Sequence, residues 1–109
     1  MGKGSPIACD LTALDPAQRA RRGALAARLT AARVEIRELP DGYAVRFASD
    51  PSMCLAVMEF VTLERRCCPF LDFVLEVERD GGPLWLRLTG REGVKPFLEA
   101  SGMAKAQRA

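Results

Sequence analysis

Two stretches in which apolar and polar residues largely alternate, each interrupted by a turn signal, constrain this chain more than any other feature. In the first, Val34 and Ile36 alternate with Glu35 and Arg37, Pro40-Asp41-Gly42 supplies the turn, and Tyr43, Val45 and Phe47 alternate with Ala44 and Arg46. In the second, Phe73, Leu75 and Val77 stand against Leu84, Leu86 and Leu88 across Asp80-Gly81-Gly82-Pro83. A period of two sends successive side chains to opposite faces, so each stretch reads as a β-hairpin with one buried face. Hairpins are marginal alone in water and need a covering layer.

Helical segments supply that layer. Asp15 is a good N-cap, Pro16 suits the first helical position and Gln18 completes a capping box, so a helix runs over Ala17–Ala32 with Leu25 and Leu29 one turn apart. Asp50-Pro51 repeats the device and opens a second helix from Ser52 to about Cys67. A third starts near Glu92 and ends near Ala100, with Pro96 tolerated in its first turn, where backbone amides have no internal partner. The order α-ββα-ββα predicts an α+β two-layer sandwich: a four-stranded antiparallel sheet with helices on one face. The two ββα halves look like one unit used twice, Tyr43–Pro51 standing where Pro83–Glu92 stands later. One domain over residues 7–104 is expected, with residues 1–6 and 105–109 as flexible ends.

Composition narrows the function. The 109 residues are 49% hydrophobic and 28% charged, enough for one modest core. There is no histidine, which excludes Ser-His-Asp and Cys-His catalysis, helical His pairs for zinc and an imidazole pH switch. A net charge of +2 is too balanced to advertise nucleic-acid binding. The arginines of the first helix (Arg19, Arg21, Arg22 and Arg28) read as a solvated face rather than a phosphate site. Met53–Leu63 is broken by Glu59 and is about half the length of a membrane span. Without an export signal the expected compartment is the cytoplasm, where four cysteines suggest thiol or metal chemistry rather than a disulfide framework.

The chemistry concentrates in Glu64-Arg65-Arg66-Cys67-Cys68-Pro69-Phe70. Pro69 pushes the residue before it away from helical geometry, so the second helix ends at Cys67 and leaves Cys68 outside. In a continuous helix adjacent side chains diverge by about 100°; the break lets the two sulfurs turn towards one point. Such a pair is a two-thiolate clamp for a soft ion of the Hg(II), Cu(I) or As(III) class. Met53, Val57, Phe60 and Glu64 fall at i, i+4, i+7 and i+11, so Glu64 extends an apolar stripe and places a carboxylate beside the cysteines. It serves either as a ligand or proton donor, or as a structural partner for an arginine at the core edge. Cys54 lies 13 residues before Cys67 on the same helix, roughly 20 Å away, and reads as a small buried apolar residue. Cys9 alone can add a third sulfur, if the N-terminal segment folds back over the end of the second helix. A structural zinc is disfavoured, since it wants four ligands.

Two other classes stay open. Cys67, Cys68 and Glu64 suit an enzyme acting on an organometal or a peroxide, although a helix C-terminus disfavours a reactive thiolate and Cys-x-x-Cys spacing is absent. Alternatively the cysteines are core, and a small molecule, a protein or a second copy of the chain binds an open sheet face marked by Trp85 and Tyr43.

The segment Glu64 to Phe73 is similar to the E-x-x-C-C-x-F-x-x-F segment of a family of small bacterial domains, found alone or fused after a MerR-type DNA-binding domain. The resemblance runs from about Ile7 to Leu98 and includes Ile7-Ala8-Cys9. It implies effector sensing or heavy-metal handling. This chain leaves no room for the fused DNA reader, so the resemblance points to a free-standing, metal-binding accessory protein with Cys67, Cys68, Cys9 and Glu64 as its metal residues.

Overall fold

The computed structural model describes residues 6–102. A 3-10 turn η1 (Leu11–Ala13) precedes α1 (Pro16–Ala32), β1 (Arg33–Leu39), β2 (Gly42–Phe47), α2 (Pro51–Cys67), β3 (Asp72–Val77), β4 (Leu84–Thr89) and α3 (Val94–Ser101). The chain is α+β with one antiparallel sheet in the order β1-β2-β4-β3. The expected flexible ends lie almost wholly outside the described residues. No helix among those residues is long and apolar enough to cross a membrane.

Local chemistry sets the boundaries. The side chain of Asp15 accepts from Gln18 N and that of Gln18 from Asp15 N, a complete capping box, while Asp50 accepts from Met53 N. α2 stops at Cys67, as Pro69 requires, with Cys68 in a non-helical cap whose amide still donates to Glu64 O at 2.8 Å. In the second hairpin Asp80 and Gly81 both have positive φ and Gly82 N donates to Arg79 O, the tight reversal that matches strand twist. α3 begins at Val94, two residues later than the sequence suggests. Gly93 adopts φ 100°, a left-handed conformation in which Glu92 cannot continue into a helix.

The register carries the internal repeat into three dimensions. β2 and β4 pair with Val45 opposite Leu86, Arg46 opposite Trp85 and Ala44 opposite Arg87. Exchanging the two hairpins maps this pattern onto itself, so the sheet has an approximate two-fold axis through the Val45–Leu86 pair. One face supplies Tyr43, Val45, Phe47, Leu84, Leu86 and Leu88 to a core completed by Leu25 and Leu29 of α1, Val57 and Phe60 of α2, and Leu98 of α3. Phe60 and Val57 are fully buried, each contributing about 1.5–3 kcal/mol. α1 runs antiparallel to α2. Arg21 forks onto Glu59 at 2.7 and 2.8 Å, and Arg28 donates to Ser52. The arginines read as a solvated face are therefore largely fasteners between helices.

On the other sheet face charged side chains pair with one another around the ring of Trp85. Trp85, expected as an exposed aromatic, is only 5% accessible, because the guanidinium of Arg37 stacks over its ring at 4.5 Å. Glu35 holds both Arg37 and Arg46, and Glu76 holds Arg87. Tyr43, grouped with Trp85 as a candidate binding surface, lies on the core face, with its hydroxyl donating to Glu99 of α3.

That bond to a carboxylate, followed by burial and the Glu99 charge, pushes the Tyr43 phenol up from 10.0 to about 12. Tyr43 is the single tyrosine, so phenolate absorbance reports it alone. A titration midpoint near 12 is expected, falling towards 10.0 in Glu99→Gln; an ordinary midpoint in the wild-type protein contradicts the α3–β2 contact.

Candidate metal centre

Three segments meet at the end of α2. The first is α2 itself, whose buried stripe of Met53, Val57 and Phe60 continues to Glu64, 4% exposed. The second is the turn after α2, where Cys68 is fully buried and Leu71 N donates to Cys68 O at 3.2 Å. The third is the N-terminal segment, which folds back as the sequence required for Cys9 to take part. Asp10 N donates to Cys67 O at 2.9 Å, tying this segment to the last residue of α2. The turn η1 is then fixed by arginines, with Arg19 donating to Leu14 O and Leu11 O and Arg66 to Ala13 O. Cys9 remains exposed at the rim.

Glu64 is the hub. Its Oε1 accepts from Arg22 Nε at 2.6 Å and from the Cys67 thiol at 3.5 Å, and its Oε2 accepts from the Cys68 thiol at 3.5 Å. The cysteines thus converge on the two oxygens of one carboxylate. Cys9, Glu64 and Cys68 place one donor atom each within 4.8 Å of one another, a group that can hold a metal ion. Cys67 does not complete that group. Its thiol is turned to Glu64 Oε1 and to the carbonyls of Leu63 and Glu64. Cys54, expected to be buried, is only partly so and packs at the far end of α2. Neither Trp85 nor Tyr43 belongs to the cluster.

The two readings of Glu64 coexist: it has an arginine partner and it faces the thiols. The missed residue is Arg22, although the signal was available. Arg22 stands three and seven residues before Leu25 and Leu29, on the stripe of α1 that the leucines bury. Ala26 and Thr30 continue the same row, and with Cys9, Arg22, Glu64 and Phe97 they line a cavity of about 310 Å³.

Electrostatics keep the thiols protonated. Burial first, then the Glu64 charge, raises the Cys67 pKa, with Arg22 opposing. Burial, a hydrogen bond with Cys9 and the Glu64 charge push Cys68 well above the ordinary thiol range. Such thiols are poor free nucleophiles, but a soft cation displaces their protons. No family model matches the chain, and comparison with curated proteins and with solved structures finds no significant similarity.

Two outcomes follow. Arg22→Ala strands a buried carboxylate and should cost about 3–5 kcal/mol, whereas Arg21→Ala, whose pair is 54% and 42% exposed, should cost about 1 kcal/mol or less. Equal losses in urea denaturation contradict the hub. The second concerns pH. Because folding raises the Cys67 and Cys68 pKa values, their contribution is fully present below the ordinary 9.0 and is lost as pH rises beyond it, where the unfolded thiols ionise first. Metal-free protein should weaken above that pH, and Cys67→Ala/Cys68→Ala should flatten the decline.

Proposed function

We propose that the protein binds a soft metal or metalloid ion in the cytoplasm, with Cys9 and Cys68 as sulfur ligands and Glu64 in support. The supporting observation is the mutual approach of two thiols and a carboxylate from segments far apart in the chain, one thiol exposed and the other two groups buried. Thiolates select soft ions, and two sulfurs suit the low coordination numbers of Hg(II) and Cu(I). With Glu64 as a third ligand the set matches a trigonal site better than a tetrahedral zinc site. An exposed ligand receives the ion and a buried pair retains it.

Cys67 has a different part. Its thiol donates to Glu64 Oε1, so it steadies the carboxylate from the helix side while Arg22 does so from α1. Arg22 also supplies the positive charge that lets an acidic group and two potential thiolates sit together. The buried Cys68 thiol is protonated at rest, so uptake of an ion there releases a proton and strengthens with rising pH. The reading that the open sheet face carries the function loses its main support, because Arg37 already covers Trp85. The role that fits is accessory heavy-metal handling or sensing, in line with the resemblance of the Glu64–Phe73 segment.

Anaerobic titration of the reduced protein with Hg(II), Cu(I), As(III) and Zn(II), against an excess of a competing monothiol, tests this. One equivalent of a soft ion should bind with loss of free thiols, and Zn(II) should not compete. Cys9→Ser and Cys68→Ser should each weaken binding by more than about tenfold, a loss above about 1.4 kcal/mol, and Cys67→Ser by less. If no ion survives the competitor, the cysteines are structural.

A further inference from the structure

We propose that the ligand is an organomercury cation, R–Hg⁺, with its mercury held by Cys9 and Cys68 and its organic group in the cavity beside them. This rests on the soft-metal reading above and specifies the class of ion. Two observations carry it, one of volume and one of charge.

A bare ion bound at metal–sulfur distances of about 2.3 Å needs no chamber. Here Cys9 and Glu64 open onto a hollow of about 310 Å³ whose walls are Ala26, Thr30 and Phe97 together with the polar Arg22 and Ser101. A cavity of about 150 Å³ lined by apolar side chains already accommodates benzene, so a phenyl or short alkyl group fits with room to spare. Cys9 also lines a second hollow of about 410 Å³, with Pro6, Ala8, Asp10, Arg66 and Pro69.

The charge argument concerns Glu64. A divalent ion that takes this carboxylate as a full ligand competes with the Arg22 bond at 2.6 Å. A monovalent R–Hg⁺ needs one thiolate for neutrality and leaves the Arg22–Glu64 pair intact. The steps balance without redox change. R–Hg–X and the Cys9 thiol give Cys9–S–Hg–R and HX, the Hg–S bond forming as the Hg–X and S–H bonds break. Cys68 then completes the site as a neutral second donor, a lone pair of its still protonated sulfur turned to the mercury while the Cys9–Hg bond stays.

The test uses the full chain carrying Cys54→Ser, reduced, with phenylmercury(II) and inorganic Hg(II) as probes against excess monothiol. The expected result is one phenylmercury retained per chain by mass spectrometry, and lost in Cys9→Ser and in Cys68→Ser. Ala26→Leu, which fills the chamber, should weaken phenylmercury at least about tenfold while leaving Hg(II) nearly unchanged. Thr30→Leu, at an exposed position on the same wall, should act in the same direction if Ala26→Leu fails to fold. If both probes weaken alike, or neither does, the chamber does not hold the organic group and the inference falls. If Hg(II) is retained and phenylmercury is not, the inference falls and the soft-metal reading stands. Loss of both to the competitor overturns both.

Discussion

Everything at the end of α2 depends on one buried carboxylate. Glu64 is nearly inaccessible, and a lone carboxylate there costs several kcal/mol. Arg22 offsets that cost from the neighbouring helix, and the Cys67 and Cys68 thiols each donate to one of the two oxygens. This satisfaction is mutual. It fixes the rotation of α1 against α2, holds the thiols at the carboxylate oxygens, and keeps them protonated at rest. The exposed Arg21–Glu59 fork, five residues earlier on α2, fastens the same helices, but solvent screens it.

Punctuation made most of the architecture legible. Asp15-Pro16, Asp50-Pro51 and Cys68-Pro69 mark helix ends by steric and capping rules that act within a few residues, and both hairpins follow from alternation. The start of α3 was less legible, because whether Gly93 takes a left-handed conformation depends on what packs around it, including Ile7. Trp85 shows a different limit. Alternation assigns its face correctly, but its cover comes from Arg37, two strands away, and that neighbour is known only once the order β1-β2-β4-β3 is known.

The site was legible by half. Glu64 and Cys68 could be placed together because they lie four residues apart across a defined helix end. That Cys9 joins them rests on a backbone bond from Asp10 to Cys67, and a bond between residues so distant has no local signature. The expectation that Cys67 and Cys68 form the clamp themselves overlooked what lies between them. With a carboxylate there, each thiol takes its own oxygen, and the second sulfur of the group that can hold an ion is that of Cys9.

The return of the N-terminal segment has a consequence for the chain as a whole. Cys9 precedes α1 and Cys68 follows α2, so any atom shared by the two sulfurs ties a ring through both long helices and the first hairpin. A ring of that size removes about 4 kcal/mol of conformational freedom from the unfolded chain. An ion shared by both sulfurs is therefore also a cross-link, and a chain so bridged is a topologically different polymer from an open one.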